Sequence, residues 1–190
     1  MIRPRDITEV SNGMGLLVSG DICSVVDFNH VKPAKGSAFV RIKMRSLKTG
    51  NVLERTYRTA ERLEEAVLEF RRVQYLYHGD GGYHFMDHTT FEEQVVTAQM
   101  LGHGVDFLQD NMECQAIFNG EKLLNVEIPN FIIATITETD LGLKGDSSRA
   151  GNKPAKIESG ATVQVPLFIG VGDIVKIDTR DGTYVERAKK

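Results

Sequence analysis

The residue best placed to do chemistry is a lysine. Lys35 lies in Val31-Lys32-Pro33-Ala34-Lys35-Gly36-Ser37, bracketed by a proline and a glycine. Pro33 fixes its own φ, and Gly36 takes φ > 0 at no steric cost. Lys35 is thereby pushed into solvent on a flexible stem, with Lys32 as a second charge nearby. Beyond the loop the chain alternates strictly: Val40, Ile42 and Met44 on one side, Arg41, Lys43 and Arg45 on the other. Period-two alternation predicts a strand with one buried face and one wet, basic face. A presented lysine above a cationic strand is chemistry for meeting phosphate; a merely charged, solvated hairpin is the plainer alternative.

The other reactive residue types assemble nothing. His30, His78, His84, His88 and His103 include one four-residue spacing, His84 to His88, but that segment reads as strand then turn, so the two do not share a helical face. There is no HExxH run, no GxSxG elbow and no Walker-type or GxGxxG loop, and Gly102-His103-Gly104 is too short to cradle a phosphate. Glu61, Glu64, Glu65 and Glu69 read as a solvated acidic connector, since an acid–base carboxylate pair needs an apolar pocket around one member. Cys23 and Cys114 are far apart and lie in apolar runs, so buried reduced thiols and a reducing cytoplasm are expected. No cofactor and no metal site is expected.

The elements that must position the loop are short strands. In the first third these are Gly15 to Val18, Ile22 to Asn29, Phe39 to Leu47 and Val52 to Tyr57, separated by Ser11-Asn12-Gly13, Ser19-Gly20-Asp21 and Lys48-Thr49-Gly50-Asn51. Thr59 to Glu65 reads as a connector. The middle third restarts with Glu69 to His78 and Tyr83 to Asp87 about a Gly-rich turn. Glu113 to Phe118 and Lys122 to Ile128 then pair about Asn119-Gly120. Phe91 to Leu101 is the one stretch predicted helical. After Pro129-Asn130 come Phe131 to Thr139, a Gly/Ser/Lys-rich loop from Leu141 to Pro154, then Lys156 to Glu158, Ala161 to Pro166, Asp173 to Asp178 and Thr183 to Arg187. The fold class is all-β, in three small barrels: residues 1–64, 65–128 and 129–190.

Net charge is −3 over 190 residues, but it is unevenly placed. Residues 1–63 carry 11 Lys/Arg against 6 Asp/Glu, residues 64–128 carry 3 against 12, and residues 129–190 carry 9 against 8. The first third seeks phosphate and the middle avoids it. No segment approaches the length of a membrane span, so no membrane partner is expected.

In order along the chain, Lys32-Pro33-Ala34-Lys35-Gly36-Ser37-Ala38-Phe39-Val40-Arg41-Ile42-Lys43, Thr139-Asp140-Leu141-Gly142-Leu143-Lys144-Gly145-Asp146, Lys153-Pro154-Ala155, Val163 to Ile169 and Gly172 to Tyr184 resemble bacterial translation elongation factor P. The resemblance spans essentially the whole chain. It implies an SH3-like KOW barrel followed by two OB-like barrels, arranged in an L shape similar in outline to tRNA. It implies a non-catalytic factor that binds the ribosome beside peptidyl-tRNA and promotes peptide-bond formation at consecutive prolines. Lys35 would point at the CCA end, supported by Lys32, Pro33, Ala34 and Gly36, and would be a modification site for a lysine-modifying enzyme. Arg41, Lys43 and Arg45 would meet RNA phosphates. Gly145, Asp146 and Ser147 would lie near the small subunit and the exit-site mRNA codon; Arg149, Lys153 and Lys156, near that loop, are candidates to touch small-subunit RNA or mRNA, with a solvated loop as the plainer alternative. A cytoplasmic monomer is implied.

Two departures stand out. Ala34 replaces the family's usual glycine before the lysine, which adds strain if that position needs φ > 0 and puts the modification in question. Ser147 replaces the usual threonine and keeps the hydroxyl. A paralogous branch with altered tips, and a generic OB/SH3-like RNA-binding module, are the competing readings. The generic module would bind naked RNA without depending on Lys35.

Overall fold

The structure is a computed structural model that describes residues 1–34, 36–140 and 151–188. It is built of three β units in sequence, each around its own apolar cluster.

The first sheet contains β1 (Ile2–Asp6), β2 (Gly15–Val18), β3 (Asp21–Val31), β4 (Phe39–Ser46), β5 (Val52–Arg58) and β6 (Arg62–Ala66), in the order β1-β6-β2-β3-β4-β5. The alternation read in β4 is realised. Val40, Ile42 and Met44 are wholly buried beside Leu16, Cys23 and Val25, while Arg41, Lys43 and Arg45 face solvent. Two strands depart from expectation. Thr59 to Glu65 is no connector, because β6 pairs along its length with β1, from Ile2 opposite Ala66 to Asp6 opposite Arg62. β1 reads Ile-Arg-Pro-Arg-Asp and shows no alternation, since none of its residues enters the core. It forms at the sheet's margin, where Pro4 is tolerated. The expected solvated acidic cluster is corrected with it: Glu65 is buried, taking hydrogen bonds from Arg3 and Arg5. β6 thus runs past the boundary expected after residue 64.

The second sheet contains β7 (Glu69–Gly79), β8 (Gly82–Asp87), β9 (Glu93–Val96), β10 (Glu113–Asn119) and β11 (Lys122–Glu127), in the order β11-β10-β7-β8-β9. The helix expected over Phe91 to Leu101 forms only in its last four residues, and Glu93–Val96 is a strand instead. Asp87 Oδ1 accepts from the Thr89 and Thr90 amides at 2.7 and 3.3 Å and turns the chain back. β-branched Val95 and Val96 then pair against His84 and Tyr83. Only α1 (Ala98–Leu101) is helical, followed by a 3-10 stretch over Gly102–Phe107.

The third unit closes into a barrel of β12 (Phe131–Thr139), β13 (Asn152–Ile157), β14 (Thr162–Pro166), β15 (Ile174–Asp178) and β16 (Thr183–Arg187), in the order β12-β13-β14-β16-β15. β14 and β16 run parallel, which gives the strand order of an OB barrel. Its core holds Ile132, Ile136, Ile157, Val165 and Ile177, and also Phe107 from the second unit. The loop expected to reach Pro154 ends earlier, because β13 starts at Asn152 and pairs with β14 from there.

Among the described residues no helix is long and apolar enough to cross a membrane. Cys23 and Cys114 are free and buried, and burial pushes the Cys114 thiol up to about 12.

Candidate functional site

The tip loop is carried by the longest hairpin of the first sheet. β3 and β4 stay in register up to Val31 opposite Phe39, so the seven residues between them close the hairpin at its far end. Lys32, Pro33, Ala34 and Gly36 are all exposed. Gly36 has φ +108°, and a Cβ there would meet only Pro33 Cγ, at 3.9 Å. The glycine is therefore needed for its backbone angle and not for space. Among the described residues the non-glycine positive φ angles are at Ser19, Phe91 and Asn111. Ala34 is not one of them, so the strain feared from alanine at this position does not arise. Lys35 itself lies outside the described residues. Below the loop, His30 meets Phe28 edge to face at 5.6 Å, and the Thr59 hydroxyl donates to the Ala38 carbonyl at 3.4 Å.

Arg41, Lys43 and Arg45 share the wet face of β4, two residues apart. That face is less purely basic than the strand alone implies. Lys43 sits directly between Asp27 of β3 and Glu54 of β5, and Arg41 Nε pairs with Glu54 Oε1 at 3.3 Å. Both partners of that pair are more than half exposed, so the pair holds the guanidinium only weakly. Arg45 lies opposite Ser24 and Val52, while Arg58 adds a cation opposite Phe39 near the loop. Asp27 and Glu54 were missed because cross-strand neighbours depend on register, and Arg58 because nothing local links it to the loop.

The second expected site is divided. Gly145, Asp146, Ser147 and Arg149 lie outside the described residues. Lys153 is corrected: it belongs to β13, is 7 % exposed, and donates through Nζ to the Asp140 carbonyl at 2.6 Å. It ties the two ends of the loop together from inside and does not face outward to meet RNA. Lys156 is exposed and paired with Glu138 at 2.7 Å.

Among the described residues no cluster of metal-ligating side chains competes with the tip: no group of three or more His, Cys, Asp or Glu is placed to hold a metal. His84 is buried against Glu93 and stacked on Tyr77 at 4.4 Å, a packed pair inside the second sheet. His88 is exposed on the turn after β8, and His84 and His88 do not converge.

Three family models match in succession: the elongation factor P KOW-like domain over residues 6–63, its OB domain over 68–126, and its C-terminal domain over 132–187. An elongation factor P from Natranaerobius thermophilus is 44 % identical over 181 residues, covering 95 % of this chain and 96 % of that protein. One from Prochlorococcus marinus strain MIT 9515 is 47 % identical over 175 residues, covering 92 % and 94 %. The solved structure of eukaryotic translation initiation factor 5A from Methanococcus jannaschii superposes with a TM-score of 0.52 at 20 % identity, over 67 % of this chain and 92 % of that one, a likeness of fold. The three matched models, a KOW-like unit followed by OB-type units, are those of a translation factor. The chain belongs to the elongation factor P family.

Proposed function

We propose that this protein binds the ribosome beside peptidyl-tRNA and promotes peptide-bond formation where consecutive prolines stall it. The observation that carries this reading is the β3–β4 hairpin, which holds an exposed loop beyond a strand whose Val40, Ile42 and Met44 are buried and whose cations are all exposed. Peptide transfer is chemistry of ribosomal RNA, so the protein supplies no acid, base or nucleophile. Its contribution is positional: a lysine at the tip contacts oxygens of the tRNA CCA end and holds the strained peptidyl-tRNA in a reactive geometry. Such positioning is worth several kcal/mol of barrier. Arg41, Lys43 and Arg45 meet RNA phosphates, while the acidic middle unit turns away from RNA or meets a basic protein. The Gly145-Asp146-Ser147 loop approaches the small subunit and the exit-site codon. The protein acts in the cytoplasm as a monomer, without cofactor, and Lys35 is a candidate for modification by a dedicated enzyme.

The test is translation of a proline-run reporter with Lys35→Ala. Yield falling to that of reactions without the factor is expected; wild-type yield overturns the proposal. Binding to ribosomes with a vacant exit site, against naked RNA, separates this function from general RNA binding. The intact mass of native protein shows whether Lys35 carries an adduct.

A further inference from the structure

The three units are not joined alike. Phe107 of the second unit is buried in the third barrel's core, and Met112 and Ile128 pack against both clusters. The cluster of the first unit contains only first-unit residues. Leu68 packs against Gly15 where the two units meet, but among the described residues the hydrogen bonds between the first and second units centre on one side chain, Asn119, whose Oδ1 accepts from the Met1 ammonium at 3.0 Å. Its Nδ2 donates to the Val67 carbonyl at 2.8 Å and to the Met1 carbonyl at 3.2 Å. These two carbonyls stand at adjoining ends of the β1–β6 pair, where the Val67 amide also donates to Met1 O at 3.0 Å. Both hydrogens of one amide group are thus spent on the first unit, across its only covalent link to the second. Asn119 also opens the turn with Gly120, whose φ is +63°. Asn119 ends β10 opposite Lys122, so the two central turn residues are Gly120 and Glu121 and the turn itself makes no demand for a carboxamide at 119. The carboxamide is needed for the second task.

We propose that Asn119 is a positioning residue: it sets the angle of the first unit on the second and so fixes where the tip loop sits relative to the rest of the protein. This rests on the tip-loop function above for its consequence, but not for its geometry. Without the two donors, the first unit swings about the Val67–Leu68 link and the tip is correctly aimed only part of the time. A factor that is competent for only a fraction of the time binds with apparent affinity reduced by that fraction, while its effect once bound is kept.

The experiment uses Asn119→Ala and Asn119→Gly, which both leave Gly120 in the turn and remove the two donors together with the Oδ1 that accepts from the Met1 ammonium. Fluorophores are placed at Ser11→Cys and Asp80→Cys, exposed sites on the two units, since Cys23 and Cys114 are buried. The parent should give a narrow distance distribution and both variants a broad one. A parent-like distribution in either variant overturns the proposal. In the proline-run reporter, both variants should need about tenfold more protein for half-maximal effect yet reach the parent plateau, since the hydrogen bonds of Asn119 to the first unit are removed. Lys35→Ala should lower the plateau and leave the distances unchanged. If Lys35→Ala is inert in the reporter, the proposed function fails while the distance result still decides the clamp. A variant plateau lowered with half-saturation unchanged also overturns the positioning role.

Discussion

Arg3 and Glu65 stand directly opposite each other across the β1–β6 pair and meet twice, Nε to Oε2 at 2.6 Å and Nη2 to Oε1 at 3.0 Å. Arg5 adds a third bond to the same carboxylate. β1 puts no side chain into the core, so this pairing and the ladder are what hold it.

Those bonds make the attachment of β1 sensitive to acid. The Arg3 guanidinium, with help from Arg5 and against the effect of burial, holds the Glu65 carboxyl at about 2, well below the usual 4.5. A depressed carboxyl contributes stability above its unfolded value and loses it as pH falls through the folded one. Glu65→Gln should therefore cost about 2 kcal/mol at neutral pH. The gap to the parent should close between pH 4.5 and pH 2. Urea unfolding across that range checks it; a constant gap would show that Glu65 acts through packing.

The tip loop should respond oppositely at its two small residues. Gly36→Ala places a Cβ at φ +108° and should cost about 1 kcal/mol or more, although nothing is struck. Ala34→Gly, which restores the family's usual residue, should give no gain and should cost about 0.5 kcal/mol through the freer unfolded chain. Thermal unfolding of the two variants measures both. Stabilisation by Ala34→Gly would mean that the position needs a positive φ in solution.

Arg41, Lys43 and Arg45 should act through salt. Replacing each singly by Ala should flatten the logarithmic salt dependence of ribosome binding by roughly 0.7–0.9 for each phosphate left without its cation. Lys43 should matter least, lying between Asp27 and Glu54. Binding titrations at several salt concentrations give the slopes. Equal slopes in parent and variants would remove these cations from the RNA interface.

Phe107→Ala should cost about 3–5 kcal/mol, because it empties a place in the third barrel's core. Gly15→Ala should disturb the other junction, since a Cβ there would stand 2.4 Å from the Ala66 carbonyl oxygen and 2.7 Å from Leu68 Cγ. Hydrogen exchange localises the two effects: Phe107→Ala should deprotect β12 and β15, and Gly15→Ala should deprotect β2 and β6. Loss of protection in the opposite units would contradict these assignments.

Where side-chain period and turn chemistry agree, residue order alone carried the structure. Val40, Ile42 and Met44 bury themselves whatever the rest does, and Pro33 and Gly36 bend the chain by their own backbone limits. The ordered blocks that resemble elongation factor P also lie in the sequence, so the family was legible before the fold. What required the tertiary structure is what depends on partners distant along the chain. β1 and β6 have no apolar rhythm and exist as strands because each pairs with the other across about 60 residues. Val95 and Val96 form a strand because β8 offers an edge, overriding a helical reading. Lys153 is turned inward by a carbonyl 13 residues earlier, and Asn119 finds its partners 52 and 118 residues away. Local spacing records the covalent neighbours of a side chain; register and docking decide its spatial ones, and the acid-labile clamp at Glu65 and the hinge at Asn119 are made of those.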